Sequence, residues 1–327
     1  MRALMYREFG APEVLEWADD QPKPVLTPDQ VLVKVAAGSL NPKDVLLRKG
    51  IFPRLLDPER PPRGSGLDLA GEVVEVGSQV ADLSPGDRVF GMTNRFCGGV
   101  HAEFAAIAAD QVALAPPNLT LTEAAAVPLA ALTALQALRD CAGLQPGQTV
   151  LINGASGGVG HFAVQLARCL GAEVTAVCGQ RNLDFVRELG AHKAIDYGVT
   201  PATAIDQTFD VVFDVFGAGR FGHYRRQLGG HGIYVNTIPK PVTALAEARA
   251  RLGLGHRNRL VIVRSKRRDL NLLRLWIEEG RLRPVIDATY RFDDAASGHR
   301  HVESRHTRGK VVLVAPGGDG DSSRSGS

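Results

Sequence analysis

The sequence is poor in the features that would place it in several large protein classes. Its 327 residues include only four cysteines, Cys97, Cys141, Cys169 and Cys178, with no CxxC pair among them. That spacing argues against a disulfide framework and a thiolate zinc site, and it favours a reduced, cytoplasmic setting. No apolar run reaches the roughly 18 residues that span a bilayer. Met1 to Gly10 lacks the apolar core of a secretory leader. No membrane partner is expected. A large charge of one sign is missing too: the formal net charge is +3, which gives no reason to expect nucleic acid. The basic run Arg264, Lys266, Arg267 and Arg268 has no interleaved aromatic residues and reads as a solvated face. HxxxH and HExxH pairs are absent, and His299, His301 and His306 read as surface residues, so no metal is expected.

What is present is an ordinary globular composition, 44% hydrophobic, on a chain long enough for two domains. Residues 1 to about 120 hold short β-prone stretches broken by glycine and proline. Gln30 to Ala37 alternates Val31, Val33 and Val35, and Leu69 to Val76 is a strong strand. This spacing predicts an irregular antiparallel barrel. Asn41-Pro42 opens a short helix, Lys43 to Lys49. The composition then shifts. Thr122 to Leu138 is rich in alanine and leucine, a helix with Thr122 as its cap. Beyond it strands at 149–153, 173–177, 194–196, 210–215, 232–237 and 260–263 alternate with helices at 158–170, 182–189, 221–228, 241–252 and 269–279. The alternation predicts an α/β fold with a doubly wound parallel sheet. Val285-Ile286 and 308–314 read as β-structure rejoining the barrel. The expected domains are 1–121 with 285–316, and 122–284. Gly317 to Ser327, all glycine, serine and charge, reads as a disordered tail.

The centre of the second domain is Val150-Leu-Ile-Asn-Gly-Ala-Ser-Gly-Gly-Val-Gly160. Strand, glycine turn and helix in immediate succession suit a dinucleotide pyrophosphate, since the turn lets backbone approach phosphate and the helix start offers free N–H groups. Ser156, Gly157, Gly158 and Val159 are the expected contacts. An acid to hold a ribose 2′-hydroxyl is expected about 20 residues later. Here the stretch is Val177-Cys-Gly-Gln-Arg-Asn182, with no acid before Asp184. Gly179 leaves space and Arg181 offers donors suited to a phosphate, so NADP(H) is expected over NAD(H).

The whole pattern resembles the medium-chain dehydrogenase/reductase superfamily, in its zinc-free quinone oxidoreductase branch. The matching pieces are Ser39-Leu-Asn-Pro-Lys-Asp44, Gly66-Leu-Asp-Leu-Ala-Gly-Glu-Val-Val-Glu-Val-Gly77, Pro85-Gly-Asp-Arg-Val-Phe90, Gly98-Gly-Val-His-Ala-Glu-Phe104, Ala131-Leu-Thr-Ala-Leu-Gln-Ala137, the glycine turn, Leu189-Gly-Ala-His-Lys-Ala-Ile-Asp-Tyr197 and Gly309-Lys-Val-Val-Leu313. They run in family order up to Pro316. The resemblance implies a GroES-like catalytic domain beside a Rossmann domain, with the substrate in the cleft next to the nicotinamide. In the zinc-dependent relatives a cysteine ligand stands at the position of Asn41, and Gly-His-Glu at Gly66-Leu67-Asp68. Both ligand positions are lost here. Without a Lewis acid, reduction of an activated C=C bond is easier than oxidation of an alcohol, because hydrogen-bond donors can hold an enolate oxygen.

The resemblance also assigns roles. Asn41 would hold nicotinamide ribose or substrate. Lys43 would donate a proton or stabilise an enolate, unless it is a solvated helix residue. Asp44 would orient the cofactor or cap structure. Thr133, Tyr197 and Lys310 would reach the cofactor, Tyr197 beside the 2′-phosphate; the alternative for Lys310 is an exposed strand lysine. Phe216-Gly217 and Thr237-Ile238 end successive strands on the ligand side of the sheet. The expected activity is NADPH-dependent, zinc-independent hydride transfer to an α,β-unsaturated carbonyl compound or quinone. A biosynthetic reductive cyclase and a non-catalytic NADPH-binding protein are the alternatives. A homodimer through Pro239 to Val263 is also implied.

Overall fold

The computed structural model describes residues 1–217, 221–238 and 257–316. The expected helix at 241–252, the tail at 317–327 and most of the supposed dimer segment lie outside these residues. Contacts divide the chain into two compact units, Met1–Leu129 together with residues from Arg264 onward, and Ala130–Val263.

The second unit is built on a six-stranded parallel sheet. In spatial order its strands are Lys193–Asp196, Glu173–Cys178, Thr149–Asn153, Phe209–Asp214, Leu228–Asn236 and Arg257–Leu260. The chain order reverses between Thr149–Asn153 and Phe209–Asp214, the switch point at which open α/β sheets take ligands. The inner strands are almost wholly buried, as sheets covered on both faces require. The last strand lies three residues before the expected 260–263. It is set by register: Ile233 faces Arg257 and Asn236 faces Leu260.

In the first unit a seven-stranded sheet is centred on Gln30–Leu40, which pairs with Asp68–Val76, Phe104–Ala108 and Lys310–Val314, all antiparallel. Ile286–Arg291 pairs parallel to Lys310–Val314, the helix Ala295–Glu303 making the crossover. A three-stranded sheet of Leu15–Ala18, Ala3–Tyr6 and Arg63–Gly64 stands apart. The valines of the central strand pack on Leu69, Val73, Val89, Val112, Val311 and Leu313 in one core.

Several sequence expectations need correction. The long helix expected over 122–138 is Leu121–Ala125 followed by Pro128–Leu135 and a π-helical turn, Gln136–Cys141. Thr120, not Thr122, is its cap, in a reciprocal box with Glu123. Residues 122–129 and 264–284 belong with the first unit. The helix Arg267–Glu278 is tied to it, Arg267 donating to the Val112 carbonyl at 3.0 Å and Asn118 to the Ile277 carbonyl at 3.0 Å. Arg267 is therefore half-buried, unlike the solvated face expected of its run. His299 is wholly buried, on the inner face of Ala295–Glu303 with Ala295 and Gly298.

Candidate active site

The glycine turn lies where the strand Thr149–Asn153 ends and the helix Gly160–Cys169 begins. Ser156, Gly157, Gly158 and Val159 all keep partly exposed surface there. No side chain caps the helix; its His161 amide donates to the Gly157 carbonyl at 2.9 Å. A Cβ on Gly160 would lie 2.1 Å from the Gly154 carbonyl, so no other residue fits where helix and strand meet. The turn thus fits a pyrophosphate: small residues, no side-chain cap and the positive end of a ten-residue helix.

Beside it, Asn182 donates to the Ser156 hydroxyl at 3.2 Å. Gly179 follows the strand Glu173–Cys178, and a Cβ there would meet the Tyr197 hydroxyl at 3.2 Å. Tyr197 is 59% exposed and Arg181 is exposed. The structure therefore gathers Ser156, Gly179, Arg181 and Tyr197 around one edge of the turn. Burial and nearby Asp196 push the Cys178 thiol up to about 11, so it stays protonated.

Across the switch point, Phe216 is 52% exposed and Gly217 is buried against Ile238. The Thr237 hydroxyl donates to the Val215 carbonyl at 3.1 Å. These four residues form a second group at the strand ends. The network beneath them was not expected from sequence. Asp214, wholly buried, accepts from Asn153 at 2.9 Å, from the Tyr234 hydroxyl at 2.9 Å and from the Gly217 amide at 2.9 Å. Burial of the two phenols, and then the charge of Asp214, raise the pKa of Tyr224 and Tyr234, keeping both protonated. A charged residue ending a buried strand was the available signal. Thr133 is buried in the helix Pro128–Leu135.

The residues expected to be catalytic lie in the first unit, and Lys310 lies with them. Asn41, Asp44, Asp68, Ser39 and Lys310 are all at most 3% exposed. Lys310 donates to Asn41 Oδ1 at 2.6 Å and to the Leu40 carbonyl at 3.1 Å, and its ammonium stands 3.8 Å from Asp68. It is not an exposed strand lysine. Asn41 donates through Nδ2 to Asp68 at 2.9 Å, so both ends of the amide are taken inside this cluster. Asp68 also accepts from Ser39 at 2.5 Å and from the Leu129 amide at 2.8 Å. Asp44 closes the start of the helix Pro42–Arg48, accepting the Asn41 amide at 2.8 Å. Its other oxygen has no partner among the described residues. Burial, and then the neighbouring charge of Asp68, push Asp44 up to about 7. Burial also raises Asp68 and lowers Lys310. Ser39 and Asp68 were missed because their pairing depends on strands far apart in sequence.

Lys43 stands outside this cluster. It is half-buried, and its ammonium lies 4.3 Å from the centre of the Phe96 ring. Burial lowers its basicity.

A zinc ion does not fit this donor set. Asn41 holds an ammonium, Leu67 offers no lone pair, and among the described residues no group of three or more His, Cys, Asp or Glu side chains could hold a metal.

A bare glycine turn at a parallel sheet's switch point, in a chain that also carries a GroES-like barrel, defines a nicotinamide-dependent oxidoreductase. Comparison with known proteins narrows this. The alcohol dehydrogenase GroES-like domain family matches residues 27–117, and the zinc-binding dehydrogenase family residues 189–313. The chain is 33% identical to the chloroplast envelope quinone oxidoreductase homolog of Arabidopsis thaliana, over 96% of this chain and 98% of that protein. It is 34% identical to the 2-methylene-furan-3-one reductase of Solanum lycopersicum, over 96% and 79%. The solved quinone oxidoreductase of Coxiella burnetii superposes with a TM-score of 0.87 at 32% identity, covering 97% of this chain and 99% of that one. The chain belongs to the medium-chain dehydrogenase/reductase superfamily, in its quinone and enone oxidoreductase branch. It acts on a small molecule. Among the described residues no helix is long and apolar enough to cross a membrane.

Proposed function

We propose that this chain is an NADPH-dependent, zinc-independent reductase of α,β-unsaturated carbonyl compounds or quinones. The cofactor choice is carried by one observation, the absence of a carboxylate at the end of Glu173–Cys178. Gly179, the Tyr197 hydroxyl and Arg181 stand there instead. The nearest acids are spent locally: Asp184 pairs with Arg187 at 2.7 Å, and Asp196 accepts the Gly198 amide at 2.9 Å. A guanidinium and a phenol suit a 2′-phosphate, which a carboxylate would repel. A 32% identical relative from Arabidopsis thaliana, spanning 96% of this chain, is an NADPH-dependent alkenal/one oxidoreductase. Zinc independence rests on the ammonium of Lys310 against Asn41 and on Leu67 at the other ligand position.

A nicotinamide bound at the glycine turn would supply hydride for reduction of the acceptor's activated C=C bond, leaving negative charge to be held at its carbonyl oxygen. Lys43 is the donor that meets this oxygen. Desolvation strengthens its hydrogen bond to developing charge and eases release of its proton. A proton then reaches the α-carbon, from Lys43 or water, and the saturated carbonyl compound leaves. Asn41 and Asp44 act by position, fixing the first helical turn that carries Lys43. Steady-state KM for NADPH and NADH tests the reading. NADPH is expected to be favoured at least tenfold, and Arg181→Glu to raise its KM by about tenfold more than that of NADH. A native preference for NADH overturns the cofactor choice, and full turnover by Lys43→Met removes Lys43 from the chemistry.

A further inference from the structure

The surroundings of Lys43 carry an inference that rests on this reductase reading and names the acceptor class. Among the described residues the Lys43 ammonium makes no hydrogen bond or ion pair; it lies on the ring of Phe96. Phe96 meets Phe52 edge to face, with ring centres 5.1 Å apart and planes at 81°. Both rings keep part of their surface open. The loops that carry them are fastened to each other and to the barrel. The Cys97 thiol donates to Glu59 at 2.8 Å, and Asp57 takes both arms of Arg63, at 2.6 and 2.8 Å, in a buried pair. The aromatic pair is therefore held before a ligand arrives.

Outside it the same loop leaves Ile51, Leu55 and Leu56 61%, 93% and 51% exposed. An ammonium on an aromatic face is held less firmly than one bonded to a charged oxygen. An oxygen on which charge develops draws Lys43 off the ring, and the uncovered face suits a flat conjugated molecule.

We propose that Phe52 and Phe96 determine acceptor specificity. They form the wall on which the acceptor's unsaturated plane stacks, its carbonyl oxygen meeting Lys43, while Ile51, Leu55 and Leu56 take an apolar substituent. The preferred class is ring-bearing conjugated carbonyl compounds, aryl enones and apolar quinones, over short aliphatic enones.

Phenyl vinyl ketone and methyl vinyl ketone share one reacting alkene and differ by the ring, so their kcat/KM ratio with NADPH reads the wall directly. The wild-type ratio is expected to exceed ten, and Phe96→Ala and Phe52→Ala each to lower it about tenfold, through KM more than kcat. Propiophenone, which cannot be reduced this way, supplies a readout without turnover: by calorimetry on NADP⁺-loaded enzyme, Phe96→Ala weakens its binding about tenfold and Phe96→Tyr preserves it. Phe96→Leu replaces the alanine variant if that one fails to fold. Turnover of both enones at similar kcat/KM, or a ratio that survives both substitutions, overturns the wall. Turnover of neither enone by the wild type, with propiophenone still bound, instead overturns the reductase reading.

Discussion

Replacing Lys310 by methionine tests the buried cluster most directly. The ammonium is 3% exposed and holds Asn41 at 2.6 Å and the Leu40 carbonyl at 3.1 Å, with Asp68 at 3.8 Å. Methionine fills similar space but leaves Asp68 charged, buried and without its cation. Breaking a buried pair from one side costs about 3–5 kcal/mol. For a unit of this size each kcal/mol moves the melting point by roughly 2–4 °C, so a fall of about 10 °C is expected. Both tryptophans, Trp17 and Trp276, lie in the first unit, so their emission in a urea titration follows that unit alone. Adding Asp68→Asn removes the orphaned charge and should restore more than half of the loss, a coupling of about 2 kcal/mol or more. The deficit of the single variant should shrink as pH falls, because protonating the carboxylate discharges it. An unchanged urea midpoint, or a double variant as weak as Lys310→Met, would refute the coupling.

Other predictions concern protons and the glycine turn. His101 and His299 are wholly buried with no ring-nitrogen partner among the described residues, and burial lowers both to about 3. The unfolded chain binds these protons below about 6.5 and the folded one does not, so stability present above that pH is lost toward pH 3. Each ring should contribute up to about 1.4 kcal/mol per pH unit, and His299→Leu should flatten the slope measured by urea unfolding between pH 7 and 5; an unaltered slope contradicts this. Asp44 acts in the opposite sense. Its carboxyl, raised to about 7, binds a proton that the unfolded chain has lost above about 4, so stability falls as pH rises through that window. Asp44→Asn should therefore gain on the wild type at pH 8 relative to pH 5, and equal differences at both pH values would dismiss the shift. Gly160→Ala sets a Cβ 2.1 Å from the Gly154 carbonyl, and should abolish NADPH binding in a fluorescence titration while the first unit's tryptophan transition is kept; retained affinity would show that the turn yields.

The nucleotide unit was the more legible half. Strand, turn and helix alternate there at short range, and local signals fix each element: Gly160 where backbone crowds backbone, and Leu183–Glu188 ending just before Gly190. Misplacements arose where a local signal had a competitor. Thr122 is expected from sequence to cap, but only Thr120 has Glu123 three residues on. The Arg257–Leu260 strand is polar, and pairing rather than hydropathy selects it. The polar cluster was half legible. Asn41 and Asp44 are neighbours in sequence, but the partner that takes the Asn41 amide lies 269 residues away. The burial of His299 was hidden for a similar reason, since a helix reveals its inner face only through what packs on it.

The descent of the chain has a consequence for synthesis. Gln30–Leu40 emerges early, and Phe104–Ala108 covers part of one edge, yet the Ala37–Leu40 end of that edge stays open until Lys310–Val314, the last described strand, pairs with it. Until then the two aspartates beside Asn41 lack a counter-ion, and their burial is opposed. A chain that stops before Lys310 would lack both the strand that completes this edge and the cation that faces Asp68 and Asn41. The same lysine that balances the cluster thus certifies, chemically, that translation has passed that codon.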